Sequence, residues 1–230
     1  MDHQRISPQR RSLIQAAAAA VLGFAALGSA QAQQAWPTAK PIRIVVGFAP
    51  GGTTDVIARV MAQSLGEALG QTVVVENKPG ASGNLAASEV IRATPDGYTF
   101  LIAPTSFETA NPFLFKQTIA PAKDLTPVVG VGRSQMYLLV KPESTVKDAK
   151  DFVAYARANP GKLSYSSAGA GTPPHLAGEL FKKVTGVYAT HIPYRGAAPA
   201  LQDVLANQAD YVFDPGIGFP HVRSGKVRML

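Results

Sequence analysis

The order of apolar runs, glycine-rich turns and amphipathic stretches is the feature that most limits what this chain can fold into. A run typical of a buried strand, "IRIVVGF" (Ile42–Phe48), leads into a Gly-rich turn and then into a stretch of helical periodicity, Asp55–Leu69. Further strands are expected over Gln71–Asn77 and Gly97–Thr105, with a helix over Leu85–Arg92 between them. Strands that alternate with helices on short connections predict an α/β fold built on parallel sheets.

The second half of the chain repeats this order of elements. "MYLLVKP", "LSYSS", "YATHIPY" and "YVFDP" are expected strands, and Thr145 and Asp148 have capping-box spacing before the helix that follows the first of them. No Gly/Ser-rich or Pro-rich linker separates the halves, but the composition is nonetheless compatible with two small α/β lobes with a crossing near 133–136. We expect a first lobe over 33–133 and a second over 134–225. Over 226–230 we expect the start of a strand that returns to the first lobe. The C-terminal part of that lobe is then expected to be missing.

The N-terminal residues are typical of an export signal. Arg5, Arg10 and Arg11 precede the apolar stretch "AAAAAVLGFAALG", and "AQA" at 30–32 provides a small-residue cleavage pattern. We therefore predict a cleavable signal peptide over 1–32 and a periplasmic product. Export by the Sec route and export by the twin-arginine route both stay open, the latter because of the Arg10–Arg11 pair.

Composition excludes several classes of function. The formal net charge is +7, but the cations are scattered and show no basic block with interleaved aromatic residues, so nucleic-acid binding is not expected. The chain has no cysteine, which removes disulfides, thiolate catalysis and Cys-ligated zinc. No histidine lies four residues from another along a helix, so no helical metal pair is expected.

Three Gly-rich loops follow expected strands and precede expected helices, namely Phe48–Asp55, Asn77–Asn84 and Ser166–His175. Helix N-termini at the carboxyl ends of parallel strands attract anions, because their N–H groups are unpaired and carry partial positive charge. The first loop lacks the lysine of a P-loop, and the third has Pro174 where a dinucleotide fingerprint needs glycine. "PGASGN" lacks the spacing of a nucleophile elbow. No enzyme activity and no cofactor are therefore expected.

Four side chains stand out as candidates for ligand contact. Arg195, between an expected strand and helix, is placed to clamp a carboxylate, although surface solvation is an equally good interpretation. His175 is expected in the first turn of a helix, and Asp214 at the end of a strand that can face a cleft. Asp55 is expected to cap its helix or to contact a ligand.

The sequence also resembles a known family. The stretch "PIRIVVGFAPGGTTDVIARVMAQSLGEALGQTVVVENKPGASGNLAASEV" is similar to the opening of the Bug proteins, the TctC-type periplasmic receptors of tripartite tricarboxylate transporters. The similarity continues through "LSYSSAGAGTPPHLAGELF" and "HIPYRGAAPALQDVLANQAD". It implies a two-lobed periplasmic-binding-protein fold, a Venus flytrap, that closes on a small organic carboxylate or amino-acid-like ligand. It also implies a monomer that delivers its ligand to membrane permease subunits.

The resemblance further implies a set of ligand-binding residues. In such receptors two opposed loops, one from each lobe, hold the carboxylate mainly through backbone N–H groups and water. The matching positions are Phe48, Gly51, Gly52, Thr53, Asp55, Thr105, Ser106, Ser167, Gly169, Gly171, Thr172, His175, Tyr194, Arg195 and Asp214.

Two aspects of the function stay open at the level of sequence. A periplasmic sensor that reports to a membrane histidine kinase would use the same closed flytrap, and an α/β enzyme is the less favoured alternative. "TSFETANP" departs from the family pattern, so Phe107 and Glu108 are expected to alter ligand choice. Glu108 would repel a second carboxylate or attract an amine.

Overall fold

The structure is a computed structural model that describes residues 36–116 and 119–230. The chain divides into two units, Met1–Ala39 and Lys40–Leu230, and all the strands and helices given below belong to the second unit. The predicted signal peptide over 1–32 lies outside the described residues.

The first half forms a three-stranded parallel sheet in the order β2-β1-β3. As the sequence predicts, each strand leads into a helical segment, although β1 ends two residues earlier than expected, at Val46. The elements are β1 (Ile42–Val46), α1 (Thr53–Leu69), β2 (Val73–Asn77), α2 (Asn84–Arg92) and β3 (Thr99–Ile102).

Helix α1 packs on this sheet through two buried alanines, with Ile57 and Met61 partly buried beside them. Ala58 and Ala62 are buried, whereas Val56 and Val60 are exposed. Helical periodicity in the sequence predicts a different face, since Val56, Val60, Leu65 and Leu69 fall on one side of the helix. Alanine lets the helix axis approach the sheet closely, so the contact face is set by side-chain size as well as by hydrophobicity.

Between the two sheets the chain has little regular structure. Three short helices follow β3, and residues 125–136 form neither helix nor strand. This segment is exposed along almost its whole length, and it includes the expected crossing near 133–136. The short helices are α3 (Ser106–Thr109), α4 (Asn111–Leu114) and α5 (Pro121–Asp124).

The second half forms a five-stranded mixed sheet in the order β6-β5-β7-β4-β8. Strands β5, β6 and β7 are parallel, as expected, but β4 runs antiparallel to β7 and β8 runs antiparallel to β4. The strands are β4 (Tyr137–Val140), β5 (Leu163–Ser167), β6 (Ala189–Pro193), β7 (Tyr211–Asp214) and β8 (Arg228–Met229).

Two of these strands differ from what the sequence pattern predicts. The second sheet is mixed and not entirely parallel, because β4, which follows the irregular segment 125–136, runs antiparallel to β7. Residues 226–230 were expected to lead back to the first lobe, and in the structure their strand, β8, pairs with β4.

Four helices cover the second sheet, and aromatic side chains fill one of its faces. Tyr165 and Tyr211 are fully buried and stack on each other, with ring centroids 5.5 Å apart. The first of these helices is capped by Asp148, whose carboxylate accepts from Asp151 N at 2.8 Å, and not by Thr145. The helices are α6 (Ala149–Ala158), α7 (Pro173–Thr185), α8 (Ala197–Leu205) and α9 (Phe219–Arg223).

Candidate ligand-binding site

The carboxyl ends of strands from both sheets meet around one cavity of about 210 Å³. The residues after β1 and β2 form one wall, and those after β5 and β6 form the opposite wall. Parallel strands direct their carboxyl ends, and the helix N-termini that follow, to one edge of a sheet, so each wall is formed by the loops at one such edge. The lining residues are Gly47, Phe48, Gly80, Ala81, Ser82, Phe115, Ala168, Gly169, Ala170, Tyr194 and Arg195.

The turn after β2 has an unusual backbone. Gly80, Ala81, Ser82 and Gly83 all have positive φ, with values of 148°, 46°, 51° and 95°. This region costs about 1 to 3 kcal/mol for each residue that is not glycine, and residues held there cluster at binding sites. Asn111 supports the turn, because its Nδ2 donates to Ser82 O at 3.0 Å.

Hydrogen bonds join the two walls across the cavity. Ser82 Oγ donates to Ala170 O at 2.6 Å, and Ala49 N donates to Arg195 O at 2.9 Å. Gly196 makes this approach feasible, because a Cβ at that position would lie 3.0 Å from Ala49 N. The two sheets are therefore held in a closed arrangement around the cavity.

The cavity wall offers positive charge and hydrogen-bond donors. The guanidinium of Arg195 is exposed and forms no hydrogen bond or ion pair with any described residue. The backbone N–H groups of Ala81 and Ser82 on one wall, and of Ala168 and Ala170 on the other, also donate to no acceptor in the described part of the chain. Unpaired N–H groups around a cation form a site suited to an anion.

Four of the residues that the sequence singles out line this cavity: Phe48, Gly169, Tyr194 and Arg195. Gly51 and Gly52 lie beside the start of α8. An ideal Cβ on Gly51 would lie 3.5 Å from Ala198 Cβ, and one on Gly52 would lie 3.6 Å from Ala197 N. The buried hydroxyl of Thr53, at the start of α1, has no hydrogen-bond partner among the described residues. Ligand contact by any of these residues stays a prediction.

Asp55 holds the shape of the Phe48–Asp55 loop. Its Oδ2 accepts from Gly51 N at 2.9 Å and from Arg59 Nε at 3.0 Å, and its Oδ1 accepts from Asn77 Nδ2 at 2.8 Å. Burial alone would raise the pKa of the Asp55 carboxyl, but the bonds from Arg59, Gly51 and Asn77 outweigh it and lower that pKa. The carboxylate is thus ionised, and its hydrogen bonds tie the loop to α1 and to the end of β2.

The loop after β5 is held by its own side chains. Thr172 Oγ1 donates to Gly169 O at 2.6 Å, and His175 Nδ1 accepts from Gly171 N at 3.0 Å. An ideal Cβ on Gly171 would lie 2.8 Å from Leu114 Cδ1, so this loop also packs closely against α4. Thr172 and His175 are not among the described residues that line the cavity, but their hydrogen bonds hold the loop that contributes to that lining. Ligand contact by them stays a prediction.

A pair of histidines lies behind this loop. The ring centroids of His175 and His191 lie 4.2 Å apart with the rings tilted by 31°, and Ser167 Oγ lies 2.6 Å from His191 Nε2. Burial lowers the pKa of both histidines, that of His191 to about 4. Ser167 is fully buried, so its hydroxyl is inaccessible to a substrate and its contact with His191 supports the loop.

Three other predicted residues lie outside the cavity lining. Asp214 is buried, and its Oδ2 accepts from Gly216 N at 2.7 Å and Gly218 N at 2.9 Å, while Oδ1 has no partner in the described residues. Burial raises the pKa of this carboxyl despite these bonds. Thr105 is exposed and Ser106 is buried, both at the start of α3.

Phe107 and Glu108, expected to alter ligand choice, are not among the lining residues either. Phe107 is buried, and its ring lies 3.8 Å from an ideal Cβ on Gly83, as does the ring of Phe48. Glu108 is exposed. Phe107 therefore acts on the cavity through Phe48 and the Gly80–Gly83 turn.

Seven of the lining residues are not predicted from the sequence. Ala81 and Ser82 belong to the second Gly-rich loop, which the sequence predicts as a loop without indicating which of its residues contact a ligand. Phe115 follows the short helix α4, which has too few residues to show a periodic signal. The other four are Gly47, Gly80, Ala168 and Ala170.

The chain matches the model of the tripartite tricarboxylate transporter family receptor over residues 57–230. Among curated proteins it is 40% identical over 227 residues to the "UPF0065 protein in gbd 5'region" of Cupriavidus necator. The alignment covers 96% of this chain and 68% of that protein.

Solved structures show the same fold. A periplasmic transporter is 41% identical with a TM-score of 0.81, and R. palustris Rpa4515 with adipate is 37% identical with a TM-score of 0.82. In both cases 85% of this chain and 66% of the other chain are covered. MatC from Rhodopseudomonas palustris with bound malate is 33% identical with a TM-score of 0.77, over 83% of this chain and 66% of that chain.

These comparisons confirm the two-lobed α/β fold expected from the sequence. The family and the structural neighbours are solute-binding receptors and not enzymes. The chain spans about two thirds of the length of the proteins just described. Within residues 36–116 and 119–230, no helix has the length and apolar character needed to cross a membrane.

Proposed function

Because this chain belongs to the family of tripartite tricarboxylate transporter receptors, we propose that it captures a small organic carboxylate in the periplasm and delivers it to such a transporter. The ligand lies between the walls formed by the residues after β1 and β2 and those after β5 and β6. Closure of the two lobes around the ligand presents the complex to the membrane permease.

The observation that carries this proposal is the unpaired guanidinium of Arg195 on a cavity whose two walls both provide unpaired N–H groups. An arginine forms strong, charge-assisted hydrogen bonds to a carboxylate. Because the donors come from both walls, a carboxylate can accept hydrogen bonds from all of them only when the two walls are close together. A bound carboxylate therefore stabilises the closed arrangement. The ligands of the neighbours, adipate and malate, belong to the same chemical class.

Substitution of Arg195 tests the capture step. The Arg195→Gln variant is expected to bind the preferred carboxylate about 10- to 100-fold more weakly, because a hydrogen bond to a charged group is lost. Its free energy of unfolding without ligand should stay unchanged, since the guanidinium has no partner among the described residues. Isothermal titration calorimetry gives the Kd and urea unfolding gives the stability.

Arg223→Gln is the matched control, because it removes the same charge from an exposed position in α9 that does not line the cavity. Its Kd should equal that of the unsubstituted protein. Equal loss of affinity in the two variants would show a general effect of net charge and would contradict the proposed role of Arg195.

Delivery and export have separate tests. Uptake of the ligand by cells should require both this protein and the permease subunits, and crosslinking of the loaded protein should capture those subunits. Capture of a membrane histidine kinase instead, with unchanged uptake, would favour the sensor. N-terminal sequencing of the exported protein should find a start near residue 33.

A further inference from the structure

The side chains around the cavity are mostly apolar. Phe48 and Phe115 present rings, and Ala81, Ala168 and Ala170 present methyl groups. No Asp or Glu lies among the described residues that line the cavity. The body of a ligand, as distinct from its carboxylate, therefore meets hydrocarbon over most of its surface.

The two hydroxyl groups on the lining are already committed as donors. Ser82 Oγ donates to Ala170 O at 2.6 Å, and Tyr194 OH donates to the carboxylate of Asp203. Each hydroxyl has a single proton, so neither has one left for a ligand. Arg195 is the one side chain on the described lining that can still donate a hydrogen bond, and a carboxylate satisfies it.

The nearby acidic side chains are engaged elsewhere. Asp203 accepts from Tyr194, and Asp55 accepts from Gly51, Arg59 and Asn77. A ligand ammonium in this cavity would find no carboxylate on the wall and would face the positive charge of Arg195. Burial of a charge without a partner is strongly unfavourable, and burial of a hydroxyl with partial pairing is less so.

From this lining we propose that the ligand is an organic acid with an unsubstituted hydrocarbon body, and that amino acids are rejected. The inference rests on the proposed function, since it specifies which carboxylates the same cavity takes. It makes the selectivity of the receptor a consequence of the absence of a counter-charge on the described wall. The protein would then separate acids that differ by one substituent on the same carbon skeleton.

Matched sets of acids test the proposal by calorimetry on the full chain. Each set has an unsubstituted, a 2-hydroxy and a 2-amino member, such as succinate, malate and aspartate, and the sets cover monocarboxylates of four carbons and dicarboxylates of four to six. Within the set that binds, the amino member should be at least about 100-fold weaker than the unsubstituted one. The hydroxy member should be weaker by a smaller factor, about 3- to 30-fold.

The outcomes separate this inference from the function on which it rests. Equal or tighter binding of the amino or hydroxy member overturns the inference and leaves carboxylate capture intact. The absence of binding by every acid in the sets, together with an unchanged melting temperature, overturns both.

A change of lining charge gives a second test. Ala81→Asp places a carboxylate on the wall, and Ala81→Asn is its uncharged counterpart; both residue types tolerate the positive φ of this position better than most. The ratio of aspartate affinity to succinate affinity should be at least about tenfold higher in the Asp variant than in the Asn variant. Equal ratios in the two variants would overturn the proposal.

Discussion

At the scale of single residues, Ser82 connects the strained turn to the opposite wall. Replacement by alanine removes the hydrogen bond from Ser82 Oγ to Ala170 O and leaves the backbone in the same region of φ. We expect Ser82→Ala to weaken ligand binding about 5- to 10-fold, since one hydrogen bond is worth about 1 kcal/mol. Calorimetry measures the Kd, and urea unfolding of the free protein should change by less than about 1 kcal/mol.

Ser88→Ala is the control for this prediction. Ser88 Oγ also donates to a backbone carbonyl, Asn84 O at 2.9 Å, but it lies in α2 and not on the cavity wall. A similar loss of affinity in both variants would mean that the effect arises from the stability of the first lobe and not from the bond between the walls.

The residues of the cavity were predictable to different degrees. Phe48, Gly169, Tyr194 and Arg195 follow strands directly, so the strand pattern and the family resemblance place them together. Ser82 has no comparable signal, because propensities disfavour positive φ at serine and the turn depends on contacts such as that with Asn111. Such tertiary contacts between residues distant in sequence have no local signature.

At the scale of elements, the approach of α7 to β5 depends on Gly178. A Cβ at this position would lie 2.3 Å from Tyr165 Cε2, and Tyr165 is fully buried between its neighbours. We expect Gly178→Ala to lower the free energy of unfolding by about 1 to 3 kcal/mol, because the helix must move away from the sheet. Urea unfolding measures this loss, and Lys183→Ala, an exposed substitution in the same helix, should change stability by less than about 0.5 kcal/mol.

The histidine pair between β6 and α7 predicts a dependence of stability on pH. His191 faces His175, Ser167 and Tyr165, with Glu179 and Lys182 nearby, and burial, followed by the charge of His175, lowers its pKa to about 4. The unfolded chain therefore binds a proton at higher pH than the folded chain does. The contribution of neutral His191 to the free energy of unfolding is then fully present above the unfolded pKa of about 6.5. It is lost as the pH falls towards 4.

Urea unfolding at pH 7.5 and pH 5 measures this dependence above the ordinary pKa range of carboxyl groups. Asp214, whose pKa is raised by burial, contributes with the opposite sign. After allowance for partial exposure of the ring, we expect a loss of about 1 to 2 kcal/mol between these values. His191→Gln should reduce the difference between the two pH values. A difference as large in this variant as in the original protein would assign the dependence to other groups.

At the scale of the whole molecule, alternation of strands and helices predicted both sheets, but not the direction of every strand. The parallel strands β1, β2, β3, β5, β6 and β7 follow from the pattern, because successive strands joined by a helix commonly run in the same direction, although β4 and β5 are joined by a helix and do not. The antiparallel strand β4 follows the irregular segment 125–136, whose path depends on contacts that no local pattern encodes. The meeting of the strand ends at one cavity is thus predictable from topology, whereas the chemistry of its wall depends on individual side chains.

The closed arrangement of the two walls gives the last prediction, which concerns Gly196. Its backbone is extended, with φ 160° and ψ 167°, so alanine can adopt it, but the added Cβ would lie 3.0 Å from Ala49 N and 3.1 Å from Ala49 Cβ. The walls must then separate by a few tenths of an ångström, and the bond from Ala49 N to Arg195 O lengthens. We expect Gly196→Ala to raise the Kd about tenfold, because a ligand that contacts both walls binds more weakly when the walls are held apart.

The free energy of unfolding of the ligand-free protein should change much less. Gly130→Ala is the control: a Cβ at that position meets no atom within 4 Å, so the Kd should stay unaltered. An unchanged Kd in Gly196→Ala would mean that the walls need not touch for the ligand to be held.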